Sequence, residues 1–222
     1  MTELTRPVRI AIVNDYELVV AGMAALLQPY ADRVEVVELD SRTPVVSDVD
    51  VVLYDSYGQV QGDRIDIDEL LRGSDARFVI FSWNVQPDLV RRSLENGAAA
   101  YFSKAVSAED LVGLIERVHR GETVTPEETT AEDAGEFGRW PGEELGLSQR
   151  ESEVLALITQ GLSNQEISER AYIGVNTVKT YIRTLYRKIE VNRRAQAVAF
   201  GIEHGFQPDR VRHVDGRTQR EG

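Results

Sequence analysis

The chain has 222 residues, of which 42% are hydrophobic and 28% are charged, and its net charge at pH 7 is −12. This composition is that of a globular protein with one large domain or two small ones, and it excludes a chain that is disordered throughout. The absence of cysteine excludes a disulfide framework, thiolate metal sites and a cysteine nucleophile. The N-terminus is polar and no apolar run approaches the length of a membrane span, so we expect a cytoplasmic protein that does not enter the membrane.

Charge is distributed unevenly between the two halves of the chain. Residues 1–144 contain 13 basic and 28 acidic side chains, a net charge of −15, whereas residues 145–222 contain 12 and 9, a net charge of +3. Residues 170–194 carry seven basic side chains and a single acid, Glu190. An acidic first half and a locally basic second half indicate two modules that bind different partners.

Strand and helix patterns alternate through the first half of the chain. Short β-branched runs predict five strands, at residues 8–13, 34–39, 50–55, 78–81 and 98–102. Helical spacing and end signals predict helices at residues 18–27, 65–71, 87–95 and 107–120. This alternation predicts an α/β flavodoxin-like (β/α)5 domain over residues 7–121, with a parallel sheet covered on both faces. Residues 40–49 are too few for an ordinary parallel crossover, so we expect the helix there to be stunted or absent.

The second half shows only helical patterns, which predict a small all-α domain over residues 147–206. Ser148 and Ser163 each stand three residues before a glutamate, which is the capping-box signature of a helix start. A four-residue turn ending at Val175 separates the second short helix from a longer basic one. That arrangement is typical of a helix-turn-helix, in which the later helix enters the major groove of DNA. A further helix is predicted over residues 193–203.

Two segments lack these patterns. Residues 122–146 are acidic and contain proline and glycine, which predicts a linker, with Phe137 and Trp140 as candidates to anchor part of it. Residues 207–222 are polar, and we expect them to form a flexible tail.

Polar residues follow four of the predicted strands, and they are Asn14, Asp15, Asp55, Ser82 and Lys104. Ligands of open α/β sheets bind beyond the carboxyl ends of the strands, so we expect these side chains to share one site. Two carboxylates with a carbonyl and waters suit Mg²⁺. A hydroxyl and an ammonium can hold phosphoryl oxygens, and Asp55 could then attack phosphorus as a carboxylate nucleophile.

Residues 7–121 resemble the receiver domain of two-component response regulators. The motif is an acid pair, a phospho-accepting aspartate, a Ser or Thr, and an aromatic residue three positions before a lysine, matched here by Asn14, Asp15, Asp55, Ser82, Tyr101 and Lys104. The resemblance implies that Asp55 accepts a phosphoryl group from a sensor histidine kinase. It also implies that Ser82 and Tyr101 reorient upon phosphorylation and that Lys104 holds the phosphate.

The same resemblance implies a Mg²⁺ site. Its ligands would be Asp15, Asp55 and the carbonyl of Tyr57, with Asn14 contributing through water. Asn14 stands where the family has an acid, so we expect weak Mg²⁺ binding. Ala105 replaces the usual proline after the lysine, and residues 56–63 lack the usual Met-Pro-Gly stretch. An atypical regulator, controlled by binding of a ligand or protein instead of phosphorylation, therefore remains an alternative.

Residues 147–205 resemble the LuxR-type DNA-binding domain of NarL/FixJ regulators. Matching stretches include Leu147-Ser148, Arg150-Glu151, Gly161-Leu162-Ser163-Asn164, Thr177-Val178-Lys179 and Arg194 with Ala197. The resemblance implies that Lys179, Thr180 and Arg183 face the bases of double-stranded DNA. The side chains expected at phosphates are Thr177, Tyr181, Arg187 and Arg194. In this family the last helix pairs two subunits, so we expect a homodimer.

Together these patterns predict a DNA-binding response regulator that is phosphorylated by a histidine kinase and binds two-fold DNA sites as a dimer. An enzyme is the rival of another class. A haloacid-type phosphatase would have an acid two residues after Asp55, where Tyr57 stands, and a serine hydrolase would have a Gly-x-Ser-x-Gly elbow, which the sequence lacks. We therefore expect no catalytic residues and no enzyme activity.

Overall fold

The computed structural model of the chain describes residues 6–40, 45, 47–126, 140–206, 211–214 and 217–220. Its first unit is built on five parallel strands, which are β1 (Val8–Val13), β2 (Val34–Asp40), β3 (Val51–Asp55), β4 (Arg77–Ser82) and β5 (Ala100–Ser103). They lie in the order β5-β4-β3-β1-β2. This doubly wound order confirms the predicted flavodoxin-like fold.

Helices cover both faces of this sheet, and they are α1 (Glu17–Leu27), α2 (Ile67–Leu71), α3 (Pro87–Glu95) and α4 (Ala108–His119). Successive strand residues point to opposite faces. Ile10 and Ile12 therefore join the core beneath α1 and α4, whereas Ala11 and Val13 join the core beneath α2 and α3. The strands read as continuous apolar runs because both of their faces are buried.

The connection between β2 and β3 contains no helix among its described residues, 45 and 47–50. Residues 41–44 and 46 lie outside the described part of the chain. Ser47 donates its backbone N–H to Oε2 of Glu38 at 2.7 Å, and Glu38 is completely buried in β2. This bond ties the described end of the connection to β2.

The second unit contains four helices, α5 (Gln149–Thr159), α6 (Asn164–Arg170), α7 (Val175–Lys188) and α8 (Arg194–Glu203). Both capping boxes form. The side chains of Ser148 and Ser163 each accept the backbone N–H of the glutamate three residues later, and the side chain of that glutamate accepts the backbone N–H of the serine. Tyr172 has a φ of 55° in the turn between α6 and α7. This tight turn joins α6 to α7, and the two helices contact each other, as in the predicted helix-turn-helix.

The C-terminal segment differs from its expectation as a flexible tail. Strands β6 (Val211–Val214) and β7 (Arg217–Arg220) form an antiparallel pair, and β6 extends the sheet beside β2. Without β6, the strand β2 would be a sheet edge with unpaired backbone groups. The residues between β6 and β7 read Asp215-Gly216, which is a strong hairpin signal that the polar composition obscured.

Part of the predicted linker is ordered against the second unit. Trp140 donates its indole N–H to the carbonyl of Leu147 at 2.7 Å. Phe137, the other candidate anchor, lies outside the described residues. Across the described ranges, no helix has both the length and the apolar character needed to cross a membrane.

The two units share a hydrophobic cluster. Tyr16 and Tyr57 of the first unit are both buried, and they pack in the same cluster as Leu155, Ile167 and Leu185 of the second. The rings of Tyr16 and Tyr57 meet edge to face, with their centroids 5.3 Å apart. The second unit is therefore seated on the carboxyl-end edge of the sheet.

Candidate functional site

Asp55 and Lys104 form a buried ion pair at the carboxyl ends of the strands. Asp55 is the last residue of β3, and Lys104 directly follows β5. The Lys104 ammonium donates to both carboxylate oxygens of Asp55, at 2.7 and 2.6 Å, and the Asp55 side chain is fully buried. The backbone N–H of Tyr57 donates a third bond to Oδ1 of Asp55 at 2.9 Å. The carboxylate is thus held by three donors and its charge is compensated.

Asn14 uses both ends of its amide to bind backbone. Its Nδ2 donates to the carbonyl oxygens of Asp55 and Tyr57, at 2.9 and 3.0 Å, and its Oδ1 accepts the N–H of Tyr16 at 2.9 Å. The Tyr57 carbonyl, predicted as a metal ligand, is therefore occupied by an N–H donor. In this arrangement Asn14 braces the loop after β3, with both ends of its amide bound to the backbone.

Ser82 and Tyr101 lie in a hydrogen-bonded group beside this pair. The Ser82 Oγ accepts the hydroxyl of Ser56 at 2.6 Å and the backbone N–H of Asn84 at 3.0 Å. Tyr101 donates its hydroxyl to the carbonyl of Asn84. Burial raises the pKa of Tyr101 to about 12, so the phenol stays protonated at neutral pH. Both predicted switch residues point inward.

The donor set of the predicted metal site is small. Asp15 and Asp55, both buried, supply the carboxylate oxygens that Mg²⁺ prefers. No group of three or more His, Cys, Asp or Glu side chains that could hold a metal occurs in the described ranges. Two carboxylates fit a Mg²⁺ ion that keeps several waters, which is a minimal set for this ion.

Helix α5 docks on the loop that follows Asp55. The Tyr57 hydroxyl lies 2.7 Å from Oγ of Ser152, and the side chain of Gln61 donates to Oε1 of Glu153 at 2.7 Å. Burial raises the pKa of Glu153, although Arg150 lies 2.7 Å from its other oxygen. The second unit therefore covers the same edge of the sheet as the Asp55–Lys104 pair.

Helix α7 presents a polar and basic face to solvent. Val178 and Leu185 are buried against α5 and α6, and the residues exposed on α7 include Thr177, Lys179, Thr180, Arg183 and Arg187. Tyr181, also predicted at DNA, is half-buried and lines a cleft together with Thr177 and Arg64. The structure thus places the three predicted base-reading side chains together on an accessible face.

Arg194 lies apart from that face. It begins α8, and its guanidinium donates to the carbonyl of Leu162 and to Oδ1 of Asn164, the latter at 3.2 Å. These contacts bind α8 to the turn between α5 and α6. In this arrangement Arg194 supports the packing of the second unit, and the phosphate contact suggested by the sequence stays a prediction.

Several side chains of the site were not identified from the sequence, and they are Tyr16, Ser56, Gln61, Asn84, Ser152 and Glu153. Tyr57 was assigned through its carbonyl, whereas its hydroxyl makes the contact with α5. Asn84 follows a strand end, as Ser82 does, so the same pattern could have indicated it. The contacts across the two units have no sequence signature because the residues lie about one hundred positions apart.

A parallel α/β unit with a buried Asp–Lys pair, joined to a helix-turn-helix unit, defines the class of two-domain regulators that pair a receiver with a DNA-binding domain. Residues 145–200 match the family model described as bacterial regulatory proteins, luxR family. The second unit therefore carries a DNA-binding domain of the LuxR family.

Relatives named as regulators align over nearly the whole chain. The transcriptional regulatory protein LnrK of Bacillus subtilis is 29% identical over 220 residues, covering 89% of this chain and 98% of that protein. The response regulator protein VraR of Staphylococcus saprophyticus is 27% identical, covering 90% and 99%. A crystal structure of the response regulator ChrA of a heme-sensing two-component system is 22% identical, covering 90% and 98% with a TM-score of 0.40.

Proposed function

We propose that this response regulator is phosphorylated on Asp55 by a sensor histidine kinase and, as a homodimer, binds two-fold sites on double-stranded DNA to control transcription. The observation that carries the proposal is the Asp55 carboxylate at the end of β3, paired with the buried ammonium of Lys104 at 2.6 and 2.7 Å. An ammonium beside a carboxylate nucleophile can also hold the oxygens of the phosphoryl group that it accepts.

The transfer needs only an acid side chain and a charged pocket. An oxygen of the Asp55 carboxylate attacks phosphorus, and the bond from phosphorus to the kinase histidine nitrogen breaks. The electron pair stays on that nitrogen, which takes up a proton, and Asp55 becomes an acyl phosphate. Lys104 releases the attacking oxygen and binds an oxygen of the phosphoryl group. Mg²⁺ held by Asp15 and Asp55 would neutralise further negative charge on that group.

Phosphorylation would be transmitted to the DNA-binding unit through the loop after β3. The phosphoryl group competes with the Tyr57 N–H for Asp55, and the hydroxyl of Tyr57 contacts Ser152 in α5. Ser82 changes partner from Ser56 to a phosphoryl oxygen, and Tyr101 adjusts beside it. These changes weaken the docking of α5 and free the second unit to pair with another copy through α8.

DNA recognition would use the exposed face of α7. Lys179, Thr180 and Arg183 are exposed there together, as base reading in the major groove requires. Thr177, Tyr181 and Arg187 flank them and are assigned to phosphates, which determine register and general affinity. Two copies related by a two-fold axis would then bind two half-sites.

Intact-mass measurement after incubation with acetyl phosphate and Mg²⁺ tests the phosphoacceptor. We expect one phosphoryl group on the wild type, none on Asp55→Ala, and one on Asp68→Ala, which changes an exposed acid on α2. Phosphorylated protein should bind DNA as a dimer, measured by light scattering with an electrophoretic mobility assay. A phosphoryl group that persists on Asp55→Ala assigns the acceptor elsewhere and contradicts the proposal.

The second candidate is a regulator with the same DNA-binding unit that responds to a ligand or protein. The engagement of Asn14 with the Tyr57 carbonyl favours it, because the metal site then lacks one ligand. Absence of phosphorylation in both the wild type and Asp68→Ala would favour this candidate over the first.

A further inference from the structure

A cavity of about 530 Å³ lies between the two units, beside the Asp55–Lys104 pair. Its walls come from α1, from the ends of β3 and β4, from residues 140–144 and from the end of α8. Both tryptophans of the chain, Trp83 and Trp140, line it. Small-molecule sites typically have a volume of about 300–1,000 Å³ and mostly apolar walls with a few polar groups. The size and position of this cavity therefore suit a ligand of moderate size.

Part of the cavity lining is apolar and part is aromatic, and Glu144 and His204 are further polar members of it. Helix α1 contributes Val19, Gly22, Met23 and Leu26, and its eleven residues include a single charged one. Trp83 and Trp140 meet edge to face, with ring centroids 6.4 Å apart and planes at 82°. The Trp140 ring is held in place by its bond to Leu147. A slot between an aliphatic helix face and ordered indoles suits a planar aromatic body.

The end of the cavity near the strands holds the Asp55–Lys104 ion pair, whose ammonium has a remaining donor. The Lys104 ammonium has three N–H groups, and two of them bind the oxygens of Asp55. Among the described residues, no other side chain or carbonyl accepts a hydrogen bond from it. Its nitrogen lies 6.0 Å from the centre of the Trp83 ring. The aromatic slot therefore runs up to an ammonium that can bind one more acceptor.

We propose that this cavity binds a small aromatic anion, with its rings between α1 and the tryptophans and its carboxylate or sulfonate on Lys104. The proposal rests on the cavity and not on phosphorylation of Asp55, and it adds a second input to the regulator. Because both units form the walls, the ligand binds only the docked arrangement and stabilises it.

Two fluorescent probes test the site and the class of ligand. The first is 1-anilinonaphthalene-8-sulfonate, an aromatic anion, and the second is N-phenyl-1-naphthylamine, the same ring system without the sulfonate. We expect saturable binding of one anionic probe per chain, seen as energy transfer from the two tryptophans. The uncharged probe should bind about tenfold more weakly, since it lacks a charge-assisted hydrogen bond. Equal affinity for the two probes would overturn the assignment of an anion to Lys104.

Filling the cavity provides the matched control. A side chain added at Gly22 meets no atom within 4 Å at its Cβ, and the same holds for Gly113 on α4, away from the cavity. Gly22→Leu should reduce probe affinity at least tenfold, whereas Gly113→Leu should retain it, with circular dichroism showing that both variants fold. Ala25→Phe, one turn from Gly22, should reduce affinity in the same way. Unchanged probe binding in Gly22→Leu and Ala25→Phe would show that the probe binds elsewhere and would overturn the proposal.

Discussion

The hydroxyl of Tyr57 lies 2.7 Å from Oγ of Ser152, so a residue two positions after Asp55 contacts the first turn of α5. Ser152 donates its own hydroxyl to the carbonyl of Pro141 at 2.6 Å, which makes Tyr57 the donor of the shared bond. The backbone N–H of the same tyrosine binds Asp55. A single residue therefore joins the candidate phosphoacceptor to the DNA-binding unit.

Replacing Tyr57 with phenylalanine should weaken the docking of the two units. The variant loses one buried hydrogen bond, which contributes about 1 kcal/mol, or roughly a fivefold change in the docking equilibrium. Hydrogen exchange of amides in α5 should rise accordingly. Tyr54→Phe is the control, because its hydroxyl bonds to the Val60 carbonyl within the first unit. Equal exchange in the two variants would show that the Tyr57–Ser152 contact does not hold the units together.

Asn14→Asp should lower the stability of the protein in the absence of metal, and added Mg²⁺ should restore it. The change removes the two N–H bonds to the carbonyls of Asp55 and Tyr57 and adds a third carboxylate to Asp15 and Asp55. We expect a loss of about 1–3 kcal/mol without metal and a rise in the thermal midpoint when Mg²⁺ is added. Asn14→Ala loses the same bonds and gains no ligand, so it should show no such recovery. The absence of a Mg²⁺ effect on Asn14→Asp would remove Asn14 from the metal site.

Lys179→Ala and Arg183→Ala should relax sequence preference, because both side chains are exposed on one face of α7 and one turn apart. Each specific base contact contributes about 1–3 kcal/mol of discrimination. Arg187→Ala should weaken binding to all DNA sequences alike. It should also lower the slope of log affinity against log salt concentration by about one unit. Site selection with each variant and salt titration measure the two effects. An unchanged consensus with Lys179→Ala and Arg183→Ala would place base recognition on another surface.

Arg194→Ala should destabilise the DNA-binding unit. Its guanidinium bonds to the carbonyl of Leu162 and to Asn164, and such contacts contribute about 1–3 kcal/mol. Urea unfolding should show this loss, while Arg187→Ala, an exposed arginine on α7, should stay within about 0.5 kcal/mol of the wild type. Unchanged stability in Arg194→Ala would instead support the phosphate contact suggested by the sequence.

The second unit should lose stability in acid through Glu151. A bond from Lys188 at 2.5 Å and the backbone N–H of Ser148 lower the pKa of Glu151 from 4.5 to about 2, against the opposing effect of burial. A carboxylate whose pKa is lower in the folded state stabilises it above pH 4.5, and this contribution falls away as the pH drops towards 2.

Glu151→Gln should flatten that pH dependence by about 3 kcal/mol, because it keeps the capping geometry and removes the charge. Glu166→Gln is the matched control, since Glu166 occupies the same position in the second capping box but is exposed and has no lysine partner among the described ion pairs. It should flatten the pH dependence less. Chemical unfolding between pH 2 and 5 distinguishes the variants, and an equal effect would exclude the Glu151–Lys188 pair as the cause.

The sequence alone determined the five parallel strands, the helices up to α8 and their order, but not β6 and β7. The starts of α4, α5 and α6 were predicted because Ser107, Ser148 and Ser163 each bind a backbone N–H three residues away, a contact made within one turn. Apolar runs predicted the strands because burial on both faces leaves a continuous signal. The sequence also predicted that Asp55 and Lys104 share one site, because parallel strands place their carboxyl ends at one edge of the sheet.

The tertiary structure decided how those parts meet. Asn14 and Arg194 have the side-chain chemistry for a metal and a phosphate, yet in the folded chain backbone carbonyls engage them. The pairing of β6 with β2 and the cavity between α1 and Trp140 join segments more than one hundred residues apart. Local sequence patterns reflect only interactions between residues that are close in the chain. The contacts between distant segments depend instead on which surfaces remain unpaired after each unit has folded.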